Sequence, residues 1–171
     1  MEKAMPKYIF DKITDITPED LHKIGAAAIG IDLDNTTVYD SAYRPREGVP
    51  EWLDTMKKHG IPVIIITNTY PLRAKLISKK FGVPFLALSN KPDPKNLLLA
   101  AERIGIPIES LAMIGDQLFT DVEAANACGA IPIWVRPFMR EKVFAKKFAR
   151  RRQREKEFCE RHGIEYKQFF K

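Results

Sequence analysis

Asp32-Leu33-Asp34 sets two carboxylates one residue apart, where the apolar stretch 27–33 gives way to a polar loop. Carboxylates so placed can ligate a hard divalent cation, yet an isolated Asp-x-Asp is more often two solvated loop aspartates. A calcium-loop reading fails on spacing. Its sixth position is Thr37 where glycine is needed, and its twelfth is Tyr43 where glutamate is needed. What weighs against plain solvation is the company this pair keeps. Thr67 and Asn68 close the apolar run 62–66, Lys91 follows the run 84–88, and Asp116 and Asp121 follow the run 111–114. Alone, Thr67 is a strand-end residue and Lys91 a solvated loop lysine; together they bring a hydroxyl and an ammonium towards several carboxylates.

The elements that must position these residues are legible from apolar runs alternating with helical patterns, the signature of a parallel α/β sheet. Strands are predicted at 27–33, 62–66, 84–88, 111–114 and 131–135, a central parallel sheet of about five. A first helix should start at Pro18, with Thr17 as N-cap and Ile16 stapled to Leu21, and end at Gly25. Further helices are expected at 50–60, at 71–81 closed by Gly82, at 94–104 and at 119–128. Such a sheet places ligands at the carboxyl ends of its strands, where Asp32, Asp34, Thr67, Lys91 and Asp116 all fall.

The 171 residues suit one core, with no internal repeat and no long linker. No apolar run approaches the ~20 residues needed to cross a bilayer. The N-terminus shows no apolar core of signal-peptide length, so a cytoplasmic protein is expected. Without a secretory route the sequon Asn35-Thr36-Thr37 carries no weight, and two cysteines imply no disulfide framework. Cys128 reads as packing at a helix end, His22 and His59 as solvent-facing, and the lone Cys159-x-x-His162 lacks a second pair for a metal site. The net charge of +6 is unevenly spread. Residues 136–171 hold 13 Lys/Arg against 5 Asp/Glu, a local +8, and the remainder is near neutral at −2.

In order along the chain, Asp32-Leu33-Asp34-Asn35-Thr36, Ile64-Ile65-Ile66-Thr67-Asn68, Asn90-Lys91-Pro92 and Gly115-Asp116-Gln117-Leu118-Phe119-Thr120-Asp121 resemble the four motifs of the HAD (haloacid dehalogenase-like) superfamily. Ile-Thr-Pro-Glu-Asp-Leu ahead of Gly-Ile-Asp-Leu-Asp-Asn-Thr is similar to the YqeG-type phosphatases of subfamily IIIA, relatives of mitochondrial phosphatidylglycerophosphate phosphatases. The likeness covers about residues 7–138, with Thr37 in place of the usual leucine and a longer, more basic tail. A P-loop is excluded, because no GxxxxGK is present.

The resemblance implies a three-layer HAD-like (Rossmannoid) fold and a phosphomonoester hydrolase that uses Mg²⁺. A carboxylate attacking a phosphate dianion meets like-charge repulsion, which a divalent cation relieves. By family mapping Asp32 is the nucleophile, passing through an aspartyl-phosphate, and Asp34 the general acid and base. Asp32 and Asp116 would ligate Mg²⁺ with the backbone carbonyl of Asp34. Thr67 would donate to a phosphoryl oxygen and Lys91 neutralise developing charge. Asp121 would orient Lys91 or neighbouring groups, while Asn35, Thr36, Asn68 and Gln117 would sit beside the phosphate or serve in caps and turns.

Many superfamily members carry an inserted lid, but the intervals 34–63 and 67–91 hold only a loop, one helix or one strand each, so a capless, open site is expected. The open site suits a large or membrane-presented substrate. Residues 1–138 would form the phosphatase domain and residues 139–171 a basic helical extension. Phe144, Phe148, Arg151, Glu155 and Phe158 fall at helical steps there. Three roles stay open for this tail: packing on the domain, peripheral contact with anionic lipid at the inner membrane face, or contact with RNA or the ribosome. The leading substrate is phosphatidylglycerophosphate or a similar anionic phospholipid. The rival is a basic RNA- or ribosome-associated factor with a weak or vestigial phosphatase site.

Overall fold

The computed structural model describes residues 2–139 and 142–170, without the side chains of residues 142–145 and 147. The chain enters through a short strand, β1 (Tyr8–Phe10), then turns into α1 (Pro18–Lys23). Thr17 caps α1 as its residue type dictates. Its hydroxyl accepts from the Asp20 amide at 3.1 Å, and the Asp20 carboxylate accepts from the Thr17 amide at 2.9 Å. Ile16 and Leu21, on either side of the cap, are both buried in one apolar cluster. There follow β2 (Ala28–Ile31), α2 (Val49–Lys58), β3 (Val63–Ile66), α3 (Pro71–Phe81), β4 (Phe85–Leu86), α4 (Lys95–Ile104) and β5 (Leu111–Gly115). A π-helical turn at Leu118–Val122 leads into α5 (Glu123–Cys128), β6 (Ile131–Val135), β7 (Phe138–Met139), α6 (Lys142–Arg161) and β8 (Phe169–Phe170).

Six strands form one parallel sheet in the order β1-β6-β5-β2-β3-β4, one more than expected. The added strand is β1, an edge strand of three residues between Pro6-Lys7 and Asp11-Lys12, too short and too closely flanked by charge to register as a periodic run. β7 and β8 form a separate parallel pair. Both faces of the main sheet are covered, which explains why its inner strands read as unbroken apolar runs rather than alternations. Ile29, Ile31, Val63, Ile65 and Ile114 point to one face, against Trp52, Leu53 and Met56 of α2. Ala28, Ile64, Ile66 and Met113 point to the other, against Leu97 and Ala100 of α4. From β2 the chain moves outward through β3 and β4, then returns to the opposite side for β5, so the carboxyl end of β2 lies at the crevice where strand order reverses.

A third apolar cluster joins α6 to the sheet end. Phe158 and Cys159 pack there with Trp134 of β6 and with Leu118 and Val122 of the π-turn. The expected stripe on this helix is displaced: Arg152 and Glu155 are buried with Phe158, and Arg151 faces out. The side chain of Phe144 lies outside the described residues. The intervals between the sequence motifs hold a loop with α2, and α3 with β4, and no inserted lid.

Candidate active site

Asp32 is the first residue beyond β2, and its amide extends the ladder by donating to the Ile114 carbonyl at 3.0 Å. The chain then breaks sharply. The Thr37 hydroxyl donates to the Asp32 carbonyl at 3.0 Å, and Asn35 takes a positive φ of 60° with its amide on the Val38 carbonyl. Arg46 fixes this loop by donating to the carbonyls of Asn35 and Thr36 at 3.0 and 3.2 Å. Asn35 and Thr36 do not line the depression beside Asp32, and Asn35 Oδ1 and Thr36 Oγ1 are buried without a hydrogen-bond partner.

Lys91 arrives from the other side of the sheet. Asn68 grips its backbone from both directions, its Oδ1 accepting from the Lys91 amide at 2.8 Å and its Nδ2 donating to the Lys91 carbonyl at 3.2 Å. The buried ammonium donates to Asp32 Oδ1 (2.8 Å), Asp121 Oδ1 (2.6 Å) and the Ile66 carbonyl (2.7 Å). Burial opposes that charge, but Asp121 and Asp32 more than offset it and hold the ammonium above its usual range. The second oxygen of Asp121 accepts from the Gln117 amide at 3.1 Å, and the Gln117 side chain accepts from Thr120. This arrangement requires glycine at position 115, where a Cβ would fall 2.1 Å from Asp121 Oδ2.

Asp116 is fully buried beyond β5. Its carbonyl accepts from Trp134 Nε1 and from Arg152, both at 3.0 Å, and its Oδ2 pairs with the same guanidinium. Arg152 also holds Glu155 at 2.7 Å, and Glu155 in turn accepts from the Leu118 amide. Asp116 Oδ1 is buried without a hydrogen-bond partner. Oxygens of Asp32, Asp116 and Asp121 lie within 4.8 Å of one another. Four buried carboxylates thus crowd the two cations they pair with, Lys91 and Arg152, so ionising all four would leave negative charge uncompensated. Burial pushes the Asp32 carboxyl up to about 8, with Lys91 opposing and Asp121 and Asp116 adding to the rise. Burial also raises Asp116, against the pull of Arg152. A divalent cation fits this centre: it would compensate these carboxylates as they ionise, and Asp116 Oδ1, buried without a partner, is a ready ligand.

Asp34 lies at the rim in a two-pronged ion pair with Arg73, at 2.7 and 2.9 Å, and also accepts from the Ser41 amide at 2.8 Å. Thr67, buried at the end of β3, accepts from the Thr69 amide at 3.2 Å, which leaves its hydroxyl proton free to donate. Asp32, Asp34, Thr67, Lys91, Gln117 and Asp121 line an open depression of about 210 Å³, large enough for a phosphate group. The structure therefore assembles the sequence-predicted carboxylates, hydroxyl and ammonium, with Asp116 beneath them. Sequence reasoning missed Arg73 and Arg152, and had Glu155 only on a helical stripe with Phe158, not at the site. Nothing in the spacing marks Arg73 apart from a surface arginine. Arg152 and Glu155 were findable, because a helical face drawn through Phe158 and Cys159 carries both of them inward.

Comparisons with known proteins show the family to which this fold belongs. A profile of the haloacid dehalogenase-like hydrolases matches residues 5–129. The Bacillus subtilis protein named "Probable phosphatase YqeG" is 35% identical over 150 residues, covering 88% of this chain and 87% of that one. The N-acetylmuramic acid 6-phosphate phosphatase of Pseudomonas aeruginosa is 28% identical over 149 residues, 74% of this chain and 66% of its own. Among solved structures, a HAD family hydrolase from Deinococcus radiodurans with bound phosphate and sodium shares the fold at a TM-score of 0.53, with 17% identity over 68% of this chain and 82% of that one. The chain belongs to the haloacid dehalogenase-like hydrolase family, among its phosphatases of the YqeG type.

Proposed function

We propose that the chain is a Mg²⁺-dependent phosphomonoester hydrolase that works through an aspartyl-phosphate on Asp32. The carrying observation is the buried cluster of Asp32, Asp116 and Asp121 at the carboxyl ends of β2 and β5, with one Asp116 oxygen unpartnered. Bound Mg²⁺ would lower the repulsion between the carboxylate and the phosphate dianion and clamp the transferring oxygens. Asp32, Asp116 and the backbone carbonyl of Asp34 would hold it.

The chain's own residues supply the rest. Lys91 holds Asp32 by Oδ1, which turns the other oxygen to attack the phosphorus. Thr67 donates its free hydroxyl proton to a phosphoryl oxygen, and Lys91 shares its charge with the equatorial oxygens as they gain charge. Asp34, ionised in its fork with Arg73, takes a proton from the incoming phosphomonoester monoanion and passes it to the leaving alcohol. It later takes one from the water that hydrolyses the intermediate, so the fork must open during turnover. Asp121 keeps Lys91 oriented.

The substrate suggested by the resemblance to phosphatidylglycerophosphate phosphatases, and compatible with the open depression and the basic α6, is phosphatidylglycerophosphate or another large or lipid phosphate. In this reading residues 1–138 form the catalytic domain, residues 139–171 an extension packed on it, and the protein works in the cytoplasm or peripherally at the inner membrane face. No described helix is long and apolar enough to cross a membrane. The test is phosphate release across a phosphomonoester panel that includes lipid phosphates in mixed micelles, with Asp32→Asn as control. Asp32→Asn should lose on the order of 10³-fold or more in rate while staying folded. Turnover by that variant near the wild-type rate, or no release from any ester, would overturn the proposal.

A further inference from the structure

A second groove adjoins the catalytic depression. Gln117 and Thr120 of the π-turn line both, and the groove continues for about 400 Å³ along α6 past Phe119, Arg150, Arg151 and Arg154. These three arginines are exposed, and no carboxylate pairs with them among the described residues. Two are propped on aromatic rings: Arg154 over Phe119 at 4.5 Å, and Arg151 over Phe148 at 5.4 Å. Propping leaves less rotamer freedom to lose when a ligand binds, and the planar guanidinium fork matches phosphate oxygens. Glu155, the carboxylate that reaches this wall, is turned onto Arg152 and the Leu118 amide, so its charge is already taken.

We propose that this groove is a second anion subsite, which takes a further phosphate-ester group of the same substrate whose terminal phosphate enters the depression beside Asp32. The proposal rests on the phosphatase reading and narrows its substrate to a class: esters with two phosphoryl groups joined by a short linker. A length of nucleic acid is disfavoured, because the groove is small and opens into the catalytic depression. The linker can belong to a lipid headgroup or to a small soluble bisphosphate, and both present the same chemistry to the arginines.

Binding separates the subsite from catalysis. Alkane bisphosphonates of increasing length, with phosphonates at the two ends, are titrated calorimetrically into the full chain with Mg²⁺, beside the matching monophosphonates. One chain length should bind about tenfold tighter than its monophosphonate at low salt, about 1.4 kcal/mol, with the advantage shrinking as salt rises. Arg151→Gln/Arg154→Gln should abolish the preference, and Arg151→Lys, which keeps the charge without the fork, should retain part of it. Phosphatidylglycerophosphate against phosphatidic acid in mixed micelles gives the lipid arm. A preference confined to the micellar pair assigns the linker to a lipid headgroup, and one confined to the soluble pair to a small bisphosphate. Bisphosphonates that bind no tighter than monophosphonates, with no preference in the micellar pair either, overturn the subsite, as does a preference that survives the arginine variants. Displacement by an oligonucleotide with no bisphosphonate preference also overturns it. Arginine-dependent preference without turnover of any ester would leave the subsite standing and refute the phosphatase mechanism instead.

Discussion

Arg152→Met tests whether α6 is part of the core or a solvated arm. In the structure the guanidinium is 5% exposed and lies between two fully buried carboxylates, Asp116 and Glu155, with a further bond to the Asp116 carbonyl. Removing it leaves two buried acids with no counter-charge and makes the carboxylate centre more negative still. Breaking a buried pair in this way costs about 3–5 kcal/mol, and for a chain of this size each kcal/mol moves the melting midpoint by about 2–4 °C. The expected fall is therefore about 6–20 °C, read by thermal and urea unfolding in chelator. Glu155→Met should also destabilise, because it leaves Arg152 short of one partner. The double variant should lose less than the sum of the two, since one uncompensated carboxylate leaves together with its partner. An Arg152→Met protein within about 0.5 kcal/mol of wild type would place this residue among ordinary surface arginines and refute the packing of α6 on Asp116.

Other consequences follow from the same centre. In chelator, a carboxyl near 8 in the folded chain and at 3.8 when unfolded means that the native state holds an extra proton between those values, so stability should fall as pH rises through that window. Cation binding needs the deprotonated carboxylate, so the rise in melting midpoint on adding Mg²⁺ should be larger near pH 8 than near pH 5; an equal rise at both would remove Asp32 from the cation's ligands. Activity should vanish with chelator, return with Mg²⁺ and be inhibited by Ca²⁺, whose looser coordination can admit a second Asp32 oxygen and spoil in-line attack. Asp34→Asn should lose more activity on alkyl than on aryl phosphates, and equal losses would take Asp34 out of the acid role. Gly115→Ala should lower stability by at least about 1–3 kcal/mol and impair turnover, because its Cβ meets Asp121 Oδ2 at 2.1 Å; a variant as stable and active as wild type would contradict that contact.

The fold was legible where residue chemistry acts locally. Thr17 and Pro18 gave the start of α1, and α3 runs over Pro71–Phe81 with Gly82 at its cap, as its punctuation implied. The strand-end residues were readable because a buried parallel strand is a continuous apolar run, and the first polar residue after it marks the sheet's carboxyl edge. β1 was not legible: three residues pair with β6 only because the chain returns to that edge after more than a hundred positions, a relation no local pattern carries. Arg73 escaped for the same reason. Its partnership with Asp34 spans 39 positions, and at the level of sequence it is one more basic residue on an amphipathic helix.

The basic tail posed a choice between packing and binding, and the periodicity of α6 removes the choice. Arg152, Glu155, Phe158 and Cys159 recur at helical spacing and face the sheet, where they hold Asp116 and close the third apolar cluster. Arg150, Arg151 and Arg154 lie on the outward face beside the catalytic depression. One helix can thus supply a buried counter-charge to the carboxylate centre and an exposed cationic wall next to it. Deleting the tail would remove both at once and could not tell one role from the other. Charge reversal restricted to Arg150, Arg151 and Arg154 leaves the Arg152–Asp116 pair in place, so loss of anion recognition in that variant, with an unchanged melting midpoint, would separate the outer face from the inner one.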